Sequence, residues 1–321
     1  MHVTARPARL WDRAWFTSTQ SHALAAFRIV FGLLWIDITL SSFPNWLRFY
    51  GRDGIVPFSA LADPFFARPS LLSVSASEQW TWAFFVVSLG AAVCFTLGYR
   101  TRAATVALYL AVISAVNRTP TITHGEDLVA RPLLFFACFA SLGDVWSVDA
   151  WLRSRRGSPA PLPGTIWPLR MMQISVVFVY LFSLPAKPID DRAWLDGTAI
   201  YYVMASENWS RFPQLATLFA YGPITSLLTV VTLVTEGAFP FLVWWSRTRW
   251  IALGSLAALK VGIGILVGHV FNFNVVMLAS FLLFVPDATL VRALAWTRGR
   301  WAARWRLRGI SRIEAPVSDS A

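Results

Sequence analysis

The sequence predicts an all-α, polytopic integral membrane bundle of about eight transmembrane helices, with interfacial helices on its outer face. Three observations carry that prediction. The 321 residues are 56% hydrophobic and 14% charged, and the apolar residues fall in long runs rather than at the spacing of a soluble amphipathic fold. The arginines collect between those runs, alternating from one side to the other. Ionisable residues inside the runs are few. A net charge of +11 distributed this way fits the cytoplasmic loops of a membrane protein, and nucleic-acid binding is set aside.

A spanning helix needs about 20 apolar residues to cross roughly 30 Å of hydrocarbon. Residues 1–21 form a basic N-terminal segment without a clear small-residue cleavage site. The first span, 22–43, contains Arg28 and Asp37 and reads as an uncleaved anchor. Further spans follow at 79–99, 102–117, 128–145, 167–187, 223–246, 249–269 and 272–291, the third and fourth being short. Together, 22–291 make the transmembrane domain and 292–321 a basic tail. Residues 158–164 are a proline-stiffened linker. Cys94 and Cys138 lie in apolar runs and read as packing residues.

Orientation follows from the basic residues. With the N-terminus inside, 17 fall on cytoplasmic segments against eight outside, and an even number of spans returns the C-terminus to the cytoplasm. This is the arrangement expected of a bacterial-type cell membrane. The tail interleaves tryptophan with arginine from Trp296 to Arg308, which suits an interfacial helix on anionic lipid. The outer segments 44–78 and 188–222 are aromatic and moderately apolar. Residues Trp194–Asn208 read either as a short helix covering a cavity or as a solvated loop.

Only two lysines occur beside 26 arginines: Lys187 and Lys260. Lysine takes part in proton chemistry where arginine does not, so both are candidates for it. Glu236 precedes Arg247 by eleven residues and Lys260 follows Arg249 by eleven. At 1.5 Å per residue both lie about 16 Å from the same ends of adjacent antiparallel helices, which predicts a buried Glu236–Lys260 pair, either structural or engaged with substrate or protons. Pro240 is expected to kink the helix beside Glu236. Gln173, Tyr180 and Lys187 recur every seven residues and share one stripe, with Lys187 at the outer edge. That lysine either snorkels to the interface or faces a polar cavity. Asp190, Asp191, Trp194 and Asp196 follow it, while His124, Glu126 and Asp127 enter the fourth span from the same side, and His269 lies near Asn272 and Asn274. These groups are expected to gather into one outer-facing site. The four histidines show no metal-ligand spacing, and neither a P-loop nor G-x-S-x-G occurs, so no metal is expected and an ATPase or ordinary serine hydrolase is disfavoured.

Several segments resemble the HTTM domain family, the membrane module shared with vitamin K-dependent gamma-glutamyl carboxylase. They are Ala26-Phe-Arg-Ile-Val-Phe-Gly32, Phe49-Tyr-Gly-Arg-Asp-Gly-Ile-Val-Pro57, Asn117-Arg-Thr-Pro120 with Gly125-Glu-Asp127, Trp146-Ser-Val-Asp149, Tyr180 through Gly197, and Val276-Met-Leu-Ala279. Their joint order carries the resemblance. It implies that Lys187, acting as the neutral amine, is the base that starts oxidation of reduced vitamin K or menaquinol. It further implies His124 and Glu126 as substrate-orienting groups, with Glu236 and Lys260 shaping the cavity. The chain departs from the carboxylase in lacking its large non-membrane domain and in carrying Pro188 after the lysine.

The leading expectation is a membrane enzyme that couples quinol oxidation to modification of a secreted or membrane peptide at the outer face, glutamyl carboxylation being the precedent. A non-catalytic accessory protein for peptide maturation, export or immunity is one alternative. A small-solute transporter is another, weakened by the absence of an evident internal repeat.

Overall fold

The computed structural model describes residues 11–12, 15–18, 21–159, 164–220 and 222–296, without the His269 side chain. The arginine–tryptophan tail beyond Trp296 and most of the basic leader lie outside the described residues. Within them the secondary structure is helical, with two isolated bridges, Ser18 to Thr165 and Ser210 to Val267.

The long helices are α1 (Ser21–Ser42), followed by the short α2 (Trp46–Tyr50), then α3 (Glu78–Leu97), α4 (Thr101–Arg118), α5 (Gly125–Ala137) and the short α6 (Val148–Arg155). After these come α7 (Trp167–Asp190), the short α8 (Ala199–Ala205) and α9 (Ala216–Phe219), then α10 (Gly222–Leu242), α11 (Arg249–Leu266) and α12 (Phe271–Phe281). Each main helix packs on the next in the order α1, α3, α4, α5, α7, α10, α11, α12, and α12 returns to α1. This unit ends at Phe284. A second unit begins at Val285 and contains α13, Asp287–Trp296.

The burial pattern is that of a protein dissolved in lipid. Val86, Phe182, Leu227 and Ile251 are all more than 60% exposed on long apolar helices, while Arg28, Arg118, Glu236 and Lys260 are buried. Hydrocarbon accepts the first set and excludes the second. Among the described residues, five helices are long and apolar enough to span a membrane, α1 continuing into α2 (Ser21–Tyr50), α3, α7, α10 and α11, and the broken pair Phe271–Phe284 with Asp287–Trp296 passes the same test when taken together. The five single helices correspond to five of the eight expected spans. Taken singly, the helices at the remaining three expected spans do not meet that length and hydropathy. α4 reaches 18 residues but carries Arg102 and Arg118. α5 has 13 residues and α12 has 11. At 1.5 Å per residue, α5 covers about 20 Å.

Buried arginines brace the chain beside the ends of two of these elements. Arg28 of α1 donates through Nη1 to the Leu142 carbonyl at 2.7 Å and through Nη2 to the Trp146 carbonyl. The segment after Ala137 turns instead of completing the expected span to 145, and Arg28 holds that segment in place through the two carbonyls. Arg118 closes α4 by donating to the carbonyls of Val56 at 2.8 Å and Gly51 at 3.1 Å, which holds the 51–56 loop over the helix end.

The turn between α3 and α4 is built around Asp149. Gly98 ends α3 in the left-handed region, φ 68°, and a Cβ there would lie 2.5 Å from both Arg28 Nη1 and Ser147 Cβ, so glycine is required. The Asp149 carboxylate then accepts from the N–H of Arg100 (2.9 Å), the N–H of Thr101 (2.8 Å) and the Thr101 hydroxyl (2.7 Å), satisfying first-turn donors of α4. Burial pushes this carboxyl up, but those hydrogen bonds and Arg153 outweigh it and hold it below the ordinary carboxylate range.

Candidate functional site

Along α10, Thr225, Thr229, Thr232 and Glu236 are buried at intervals of four, three and four, one polar stripe on a largely apolar helix. The threonine hydroxyls are settled locally. Those of Thr229 and Thr232 donate to carbonyls four residues earlier, at 2.9 Å each. Glu236 has no such local partner and is satisfied from two other helices. Lys260 of α11 donates to its Oε1 at 2.9 Å, and Lys187 of α7 donates to its Oε2 at 2.5 Å. The side chains of Glu236 and Lys260 are each 5% exposed and that of Lys187 is 19% exposed.

Lys187 therefore sits deeper than its expected place at the outer edge of the stripe. It meets α10 fourteen residues after Gly222, about 21 Å along that helix. The chain between α7 and α10 accounts for the difference. Residues 191–221 fold as short helices and turns beyond the end of α7, α8 packs against α10, and Thr229 donates to the Gly197 carbonyl at 3.3 Å. Lys187 is roofed by its own following segment instead of ending at a rim. α10 runs as one helix through Pro240, which falls in its final turn.

A cavity of about 500 Å³ opens beside the three charges. Glu236, Lys187, Lys260, Thr232 and Asn274 provide its polar groups. The rest of its wall is apolar or aromatic: Trp194, Ile200, Val203, Met204, Trp209, Leu228, Val231, Ile263, Leu266 and Phe273 among others. α8 supplies Ile200, Val203 and Met204. The loop after it is stitched to the end of α11, with Arg211 N–H donating to the Leu266 carbonyl at 2.9 Å and Gly268 N–H to the Trp209 carbonyl at 3.0 Å. Both ammoniums also face rings. Lys187 Nζ lies 5.4 Å from the Trp194 centroid, and Lys260 Nζ lies 5.4 Å from those of Tyr180 and Phe273. Asn274 donates from Nδ2 to the Val270 carbonyl at 2.8 Å, which fixes its amide orientation, and its Oδ1 is buried without a hydrogen-bond partner.

The structure divides the residues expected to form one outer-facing site. Lys187, Trp194, Glu236 and Lys260 line the cavity, and Tyr180 lies behind Lys260 with its hydroxyl buried and unpartnered. Asp190 and Asp191 are exposed, and Asp191 accepts from the Ala193 N–H at 2.9 Å as a local cap, so neither joins the lysine. At the start of α5, His124 N–H donates to Asp127 Oδ2 at 3.0 Å, which makes these two residues a helix start. Asp127 faces a separate small cavity beside Tyr50 and Trp46, and Glu126 is buried near Asn272. The His269 side chain lies outside the described ones. Asn274, named with His269 in the expected cluster, lines the cavity, and the Trp194–Asn208 segment forms the short helix α8 over it; the residues not anticipated are Thr232, Phe273 and the apolar lining from α11. The threonine spacing ahead of Glu236 was a usable signal for the first. The others become neighbours only through packing.

Fold and site together define an integral membrane protein with a lysine–glutamate–lysine cluster at the wall of an apolar cavity. The HTTM domain model matches residues 16–288, most of the chain, and the protein belongs to the HTTM domain family. No curated protein and no solved structure matches it.

Proposed function

We propose that this protein is a membrane enzyme that binds a reduced quinone, vitamin K or menaquinol, in the Lys187–Lys260 cavity and couples its oxidation to modification of a secreted or membrane peptide. The observation that carries the reading is a lysine of the family's catalytic segment, Lys187, at the wall of an apolar cavity that also presents Lys260 and Glu236. The cavity suits the ligand in size and chemistry. About 500 Å³ lies within the roughly 300–1,000 Å³ usual for small-molecule sites. The apolar wall accommodates a ring and tail, the unpaired Asn274 Oδ1 accepts from a ligand hydroxyl, and the ammoniums donate to an oxygen. A bound reduced quinone would supply, on oxidation by dioxygen as the electron acceptor, a base stronger than any side chain, which removal of a glutamyl γ-proton requires.

The protein's own part is proton management. Passing a proton from Lys187 Nζ to Glu236 Oε2 along their hydrogen bond leaves a neutral amine at Lys187 without changing the total charge of the cluster. The free amine then takes the proton of a ligand hydroxyl. Lys260, still an ammonium, faces the negative charge that develops. The test is dioxygen-dependent oxidation of reduced vitamin K and menaquinol by the purified protein in lipid nanodiscs. Turnover is expected, with loss of at least about a hundredfold in Lys187→Ala, the usual scale for a general base. Full turnover in a folded Lys187→Ala protein, or none with either quinol in the unmodified protein, overturns the reading. Peptide co-purification without turnover would instead mark an accessory protein, and solute flux in proteoliposomes a transporter.

A further inference from the structure

The charge of the cavity specifies its ligand more closely than its shape does. With both amines protonated, Lys187 and Lys260 bring two positive charges to one carboxylate, so the cluster holds one net positive charge in a nearly buried position. An ammonium has three donors. Each of these makes one hydrogen bond, to Glu236, and otherwise meets aromatic faces or the cavity. An uncompensated buried charge is costly, whereas one anion placed across the two amines would neutralise the cluster and occupy further donors. A second negative charge would recreate the imbalance with opposite sign. Among the described residues, the remainder of the wall, including Ile200, Met204 and Ile263, offers no charged group to a second ionic centre.

We propose that the cavity selects a single-tailed amphiphile with one negative charge, a long-chain carboxylate or an aryl oxide, and discriminates against neutral, cationic and dianionic analogues of the same tail. The inference rests on the same cavity as the enzyme reading but on its charge balance alone. Glu236 is the internal competitor for the ligand's anionic group, held by the same two amines. Removing its charge therefore strengthens anion binding, although it removes a hydrogen-bonding partner.

The experiment uses the full chain in nanodiscs of zwitterionic phosphatidylcholine. Tritiated palmitate is titrated in one arm and an alkylated nitrophenol, above its ionisation pH, in another. Hexadecanol and hexadecyltrimethylammonium serve as competitors. Saturable binding of either anion, about tenfold or more tighter than hexadecanol, is expected, and the arm that binds identifies the source of the charge. Lys260→Met should weaken binding about tenfold, Lys260→Arg should retain it, and Glu236→Gln should tighten it. Equal competition by hexadecanol, absence of saturable binding in both arms, or weakening by Glu236→Gln in protein that remains folded overturns the proposal. Anion selectivity with this mutant ranking but no quinol turnover sinks the enzyme reading alone. Quinol turnover without the ranking sinks this inference alone.

Discussion

Replacing Glu236 by glutamine is expected to destabilise the protein far more than replacing Lys260 by methionine. Glutamine keeps the size of the side chain but leaves Lys187 and Lys260 as two buried cations without a counter-charge, where the wild-type carboxylate holds them at 2.5 and 2.9 Å. Removing one partner of a buried ion pair costs about 3–5 kcal/mol. At about 2–4 °C per kcal/mol, the figure for chains of 150–250 residues, that corresponds to a fall in Tm on the order of 6–20 °C. Lys260→Met removes one hydrogen bond to a carboxylate, about 1.5–3 kcal/mol, but also removes the excess charge and leaves a one-to-one Lys187–Glu236 pair. Since burying an ion costs several kcal/mol, the two effects offset and the variant should be near neutral or more stable. The double variant Glu236→Gln with Lys260→Met should recover part of the loss, because a single ammonium then remains. Thermal unfolding in one lipid and detergent system, read by tryptophan fluorescence, gives the order directly. The reasoning is refuted if Lys260→Met lowers Tm as much as Glu236→Gln, or if the double variant is worse than either single.

Two further outcomes concern the opposite end of the fold. Arg28→Met should destabilise by about 3 kcal/mol or more, because the Leu142 and Trp146 carbonyls lose a fully buried guanidinium, and Arg28→Lys should not rescue it, since a point ammonium does not reproduce the two-pronged geometry; thermal unfolding of both variants checks this. Asp149 has a lowered folded-state value, so its contribution is fully present above its unfolded value of about 3.9 and is lost as pH falls through the folded value. Tm measured from pH 6 to pH 3 should fall through a component that Asp149→Asn abolishes, and an unchanged acid limb in that variant would refute the assignment.

Solvent and general plan are legible along the chain because hydrophobic run length is a one-dimensional property. A helix crossing lipid must satisfy its own backbone hydrogen bonds, and it shows this as about 20 consecutive apolar residues. That logic located α1, α3, α7, α10 and α11 to within a few residues. It ran α5 past its end at Ala137, because the course of the segment beyond depends on partners distant in sequence. Arg28 captures carbonyls 114 and 118 residues away, which no local window contains.

The site divides along the same line. Counting residues from the basic helix ends puts Glu236 and Lys260 at one depth, since rise per residue is a constant of the helix. Two lysines among 26 arginines mark themselves by composition. That Lys187 shares the same carboxylate was decided by tertiary structure, because it depends on how far α10 extends past α7 and on the fold-back of residues 191–221 between them. The same packing separates Asp190, Asp191 and Asp127 from the cavity, brings Phe273 and the α11 lining to it, and selects the cavity-covering helix over the solvated loop for Trp194–Asn208. Composition and spacing determined that this chain lives in lipid and carries two unusual amines. Only the packing of α7, α10 and α11 decided that both amines converge on one carboxylate and leave a charge for a ligand to answer.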